Sequence, residues 1–225
     1  MLRSSTQHVC SGGSAKLAAA MLASIAVPAL AAPAPVVTVR VFTDAGVVSG
    51  QTLRSARQEA QQIYREAGIE TDWLLCSPSQ EDPGQDAGCH QPHSLGDLNL
   101  RILPPSMEKR FPMSASAFGS AIFDQDGRQT THAYVFYGRV EKSTKKAPCA
   151  AEQLLGHVMA HEVGHLLLGR RHAPRGLMSA RWDGKTLGEA ARGRLWFGTD
   201  EAARLQAEVR SRMGTTEGAL RATAE

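Results

Sequence analysis

The segment His161-Glu162-Val163-Gly164-His165 constrains this chain more than any other, because its chemistry only works on a helix. Residues four apart on an α-helix lie about 40° from eclipsed, so both imidazoles leave one face. From there they can reach a single tetrahedral Zn²⁺ at about 2.0–2.1 Å, with Glu162 beside the first ligand to take a proton from a metal-bound water. The flanks suit a helix as well. Leu154, Leu155, Val158, Leu166, Leu167 and Leu168 supply apolar faces, and Gly169 is a natural C-terminal stop. An ordinary core helix with satisfied histidines is the bland alternative. It leaves unexplained why two histidines and a glutamate would be buried there at a cost.

A third histidine, His172, follows the helix stop; the turn-like Ala173-Pro174-Arg175-Gly176 and then Met178 come next. Together these residues resemble the metzincin clan of zinc metalloproteases, whose motif runs HExxHxxGxxH and precedes a methionine-bearing turn. His161 to His172 matches that motif with one extra residue between His165 and Gly169, the Gly-x-x-His part being intact. One added helical residue rotates the exit by about 100° and advances it about 1.5 Å, so the return loop must absorb the change. The resemblance implies zinc held by His161, His165 and His172, with Glu162 as general base and Met178 packed beneath the ligands without coordinating. The short interval from His172 to Met178 is similar to that of matrixin-like and related short bacterial sequences. A core methionine filling a gap is the alternative for Met178. No tyrosine follows Met178, which leaves the stabiliser of a tetrahedral intermediate unassigned beyond zinc.

Other readings stay open on the residues. His157 lies four before His161 and shares its broad helical face, as a neighbour of the site or as a ligand. Glu189, in a later helical stretch, is a third ligand in a gluzincin-like alternative. A zinc-stabilised binding protein that does not cleave is the reading from another functional class; a structural site, however, has no need of Glu162. His90, His93 and His132 fall in loop-like or strand-like contexts and are expected to be structural or at the surface.

The first 31 residues are expected to be a signal peptide. Arg3 and Lys16 give a weakly basic start, Leu17 to Leu30 is an apolar stretch, and Ala29-Leu30-Ala31 is a small-x-small cleavage pattern. An uncleaved anchor is the alternative, although the stretch is short for a membrane span. Ala32 to Glu225 is then one catalytic domain, secreted or periplasmic, without stable membrane association. The formal charge of +3 is mild, and no basic stripe with interleaved aromatics suggests a nucleic-acid partner. Protein or peptide substrates are expected instead. Export permits a disulfide, and Cys76 with Cys89 would close a polar loop, leaving Cys149 free.

Along the chain, strands are expected at Val36–Phe42, Ile69–Leu75 and Leu98–Leu103, and a helix at about Gln51–Ala67 capped by Ser49. Phe118–Phe123 and Thr131–Val140 read as a hairpin, followed by the motif helix from about Ala150 to Leu168 and a last helix from Asp200 to about Arg212. That order is similar to the metzincin arrangement and implies an α+β fold, with a mixed twisted sheet over the active-site helix and a C-terminal helix. By the same resemblance the cleft edge is Thr131–Val140 or Gly119–Phe123, along which a peptide adds itself as a further strand. The expected reaction is hydrolysis of internal peptide bonds in a zinc-dependent manner.

Overall fold

A computed structural model of the chain describes residues 36–77, 85–94, 96–114, 116–125, 129–145 and 149–222, with side chains through 213. The expected signal segment therefore lies outside the described residues. Val36–Thr43 (β1) alternates β-branched residues and pairs in parallel with both Glu70–Cys76 (β2) and Leu98–Leu103 (β3). Between β1 and β2 runs Gly50–Glu66 (α1), capped by Ser49, whose side chain accepts from the Thr52 amide. Pro105–Glu108 (α2) is a single turn after the Pro104 break, and Gly119–Phe123 (β4) pairs antiparallel with Gln129–Phe136 (β5). Tyr137–Thr144 (α3), Ala151–Leu168 (α4), Gly184–Ala191 (α5) and Thr199–Ala222 (α6) complete the order. The sheet order is β2-β1-β3-β5-β4, so β4 is an edge and β5 is interior. The fold is α+β, a mixed five-stranded sheet against helices, as expected.

Strand alternation builds the core. Val37, Val39 and Val41 of β1, Leu98, Leu100 and Ile102 of β3, and Ala133 and Val135 of β5 are all buried on the face that packs against α1 and α4. α1 and α4 meet very closely at Gly156, where a methyl group would lie 2.5 Å from the Glu59 side chain and 2.7 Å from the Ala56 carbonyl. Tyr64 of α1 is buried, packs on Trp73 and Phe197, and donates its hydroxyl to the Ala160 carbonyl of α4 at 3.0 Å. That bond pins the helix one residue before His161.

The opposite sheet face carries buried Arg40, which pairs with Asp97 at 2.9 Å and donates to the carbonyls of Gly88, Cys89 and Pro92. The Cys76–Cys89 disulfide anchors the same segment, and Cys149 is free and buried. Both cysteine assignments match expectation.

Two boundaries differ. Tyr137–Val140, expected to extend β5, is helical. The Gly138 amide donates to Glu108 at 2.7 Å, and Arg139 donates to the carbonyls of Ser114 and Ala117 while stacking over Phe136. These distant partners turn the chain out of the sheet in spite of its β-type residues. The last helix also runs to Ala222, beyond Arg212.

Candidate metal centre

α4 is buried on almost every side from Leu154 to Leu167, which accounts for its apolar sequence. Its C-terminal carbonyls are satisfied by cations from α6. Arg204 donates to the Leu168 carbonyl at 3.0 Å and Arg212 to that of Leu166 at 2.8 Å. Gly169 then takes a φ of 89°, a left-handed value that favours glycine, and the chain turns back. The extra residue is thus accommodated as added helix, and the return loop still brings His172 over His165.

Three imidazoles converge. His165 Nε2 lies 3.1 Å from His161 Nε2 and 3.2 Å from His172 Nε2. His161 Nδ1 is 2.7 Å from the Leu177 carbonyl and His165 Nδ1 is 2.8 Å from that of Gly169. A ring nitrogen facing a carbonyl oxygen at that distance must carry the hydrogen, so the Nε2 lone pairs of His161 and His165 are left pointing at each other. Bare lone pairs repel unless a cation sits between them. Nitrogens about 2.0–2.1 Å from a tetrahedral zinc stand roughly 3.3 Å apart, close to the separations found here. The donor set therefore fits a metal ion, and among the described residues these three form the group that can hold one.

Burial first, and the facing His165 ring next, hold the His161 pKa near 3, while the bond to Leu177 works in the opposite direction. Burial also lowers His165 and His172 below the ordinary imidazole value. All three rings thus favour the neutral, ligating form.

Glu162 is buried, and its pKa is raised to about 8 by loss of water, partly offset by the backbone amide of Ala121. A cation beside it would act in the opposite direction to burial. The carboxylate reaches the sheet edge because residue 119 has no side chain. A methyl group there would lie 2.5 Å from Glu162 Oε1 and 2.5 Å from the Tyr134 carbonyl. Since the Phe136 amide donates to the Phe118 carbonyl, antiparallel alternation leaves the backbone groups of Gly119 and Ala121 pointing off the sheet, where the Ala121 amide meets this carboxylate. The cleft edge is therefore β4; Thr131–Val140 is not an edge.

Met178 is buried against α4 between His161 and His165, 1% exposed, with its sulfur close enough that a methyl on Gly164 would meet it at 2.8 Å. Gly164, between the two helical histidines, is what lets it approach; that role was not read from the sequence. Trp182 was also missed. Its ring stands edge-on to His161 at 5.6 Å and near Phe118 at 5.8 Å, walling a cavity of about 350 Å³ over the histidines.

His157 is not brought to this group. Its Nδ1 bonds the Gln153 carbonyl at 2.8 Å, and its Nε2 faces Glu59 of α1 at 3.7 Å. Glu189 lies on α5, which packs near the other end of α4, where Gln153 donates to the Ala191 carbonyl. It does not join the histidines. His90 and His132 contact Gln85 and Thr131 respectively, away from the site.

No protein-family model matches the chain, and no curated protein matches it in sequence. Among solved structures it is similar to a zinc-dependent peptidase from Methanocorpusculum labreanum (strain Z). The identity is 16% over 74% of this chain and 99% of that one, with a TM-score of 0.46. Among the described residues, no helix is long and apolar enough to cross a membrane.

Proposed function

We propose that this chain is an exported zinc-dependent endopeptidase of metzincin type, with His161, His165 and His172 as ligands and Glu162 as general base. The observation that carries this reading is the convergence of three Nε2 atoms beside a buried carboxylate at an open sheet edge. Zinc held there supplies a Lewis acid that polarises a carbonyl and makes water more acidic. Glu162 takes the proton of the attacking water and returns it to the leaving amine nitrogen. The carbonyls of Leu177 and Gly169 fix the tautomer and aim of the two helical ligands. The outward edge of β4 binds the peptide as an added strand, setting the scissile carbonyl at the three histidines with Glu162 facing the attacking water. Residues 1–31 act as the export signal, and the Cys76–Cys89 bridge suits an oxidising compartment.

The test is cleavage of a fluorescent peptide library by the wild type and by Glu162→Gln. The reading expects the variant to keep its zinc and to lose at least about 100-fold in rate. Equal cleavage by both proteins, or none by the wild type with zinc bound, would overturn it and favour a zinc-stabilised binding protein.

A further inference from the structure

The cavity over the histidines is electrically lopsided. Arg170 lines it at the Phe123 end of β4, and Glu162, its one lining carboxylate among the described residues, is buried beneath the floor. The Arg170 guanidinium lies 4.7 Å from the centre of the Phe123 ring and donates to the backbone carbonyl of Asp124 at 3.4 Å. Ring stacking and a single backbone bond orient the group without neutralising it, and no ion pair found among the described residues includes it. The return segment from Arg170 to Trp182 also carries Arg171, Arg175 and Arg181, all exposed, with no Asp or Glu. The opposite wall, formed by Phe118 and Trp182, is aromatic.

Strand direction converts this asymmetry into a position along the substrate. Gly119 and Ala121 face off the sheet edge, and a strand added to such an edge pairs antiparallel more stably and more commonly than parallel. A peptide added antiparallel to β4 lays its N-terminal half beside Phe123, because β4 runs from Gly119 toward Phe123. Phe123 is two residues beyond Ala121, across an irregularity in the β4–β5 register, which places it up to roughly 7 Å further along the strand. We propose that Arg170 is a specificity-determining residue that binds an acidic side chain two or three residues N-terminal to the scissile bond. This rests on the peptidase reading and names its substrate class, peptides bearing Asp or Glu at that place.

The experiment uses peptides that differ only at that position, carrying Glu, Gln or Lys, with the cleaved bond mapped by mass spectrometry. For the wild type, kcat/KM should be roughly three- to tenfold higher for Glu than for Gln, and lowest for Lys. The preference should shrink with added salt. Arg170→Lys should retain the order, Arg170→Gln should flatten it, and Arg170→Glu should invert it. A guanidinium that merely ties the return loop to β4 would not produce inversion. Binding of the same peptides to the Glu162→Gln protein, followed by fluorescence anisotropy, should show the same order without turnover. Cleavage indifferent to charge, or a preference that survives Arg170→Glu, overturns this inference and leaves the peptidase reading intact. An acidic preference on the C-terminal side of the cleaved bond overturns it as well. Failure to cleave any peptide above the Glu162→Gln background overturns both.

Discussion

Two glycines decide how closely this site is packed. Residue 119 must be glycine because Glu162 and the Tyr134 carbonyl both occupy the space of a side chain, and the carbonyl belongs to a paired strand that cannot step aside. Gly119→Ala should therefore cost about 1–3 kcal/mol, seen as a Tm lower by roughly 3–10 °C, and should reduce peptide cleavage by at least about tenfold as Glu162 is displaced. An unchanged Tm would show that the edge strand yields. Gly164 does the same for Met178 on the other side of the helix. Neither role was legible, because a glycine in a motif does not say which neighbour needs its space. The convergence of the histidines was legible in part: the spacing of His161 and His165 puts them on one helical face, whereas Glu162 and His172 were singled out by the motif and its resemblance.

His157 shows where the same periodicity overreaches. It shares the helix with His161 and His165, but it faces Glu59 on α1, and burial lowers its pKa below the ordinary 6.5. A depressed imidazole pKa contributes stability that is present above pH 6.5 and lost as pH falls through the folded value. Burial raises the Glu59 carboxyl, which acts in the opposite sense at more acidic pH. With zinc saturating, the wild type should thus lose stability just below pH 6.5 more steeply than His157→Gln, as measured by denaturant midpoints. Parallel curves would show that His157 does not titrate on unfolding.

At the scale of elements, local pattern succeeded where a segment packs by its own periodicity. β1, α1, β3 and α4 lie within a residue or so of their expected bounds. It failed where a distant partner decides. Tyr137–Val140 has strand-forming residues, but Glu108 and the carbonyls of residues 114 and 117 claim its amide and guanidinium. The loop closed by Cys76 and Cys89 was legible from two cysteines bracketing polar residues. The latch of Arg40 and Asp97 beneath it was not, since an arginine within a strand carries no sign of its partner. With a sequence separation of 13, removing the bridge by Cys76→Ser with Cys89→Ser should cost about 3 kcal/mol. Thermal unfolding checks this, and a loss well under 1 kcal/mol would mean that the Arg40 latch alone holds the segment.

For the molecule as a whole, the site joins parts that the chain keeps far apart. Two of the converging histidines sit on α4, the third on the return loop, and the Glu162 carboxylate reaches β4 at the sheet edge. A metal bound there would tie the return loop to the core and stabilise the folded state by mass action. Chelation followed by dialysis should lower the Tm by about 5–10 °C, and one equivalent of zinc should restore it. The three-histidine site itself is tested most directly by elemental analysis of the purified, dialysed mature chain beside His172→Ala. We expect one zinc per chain in the wild type, lost or much weakened in the variant. Zinc fully retained by His172→Ala, or absent from both proteins, would contradict it.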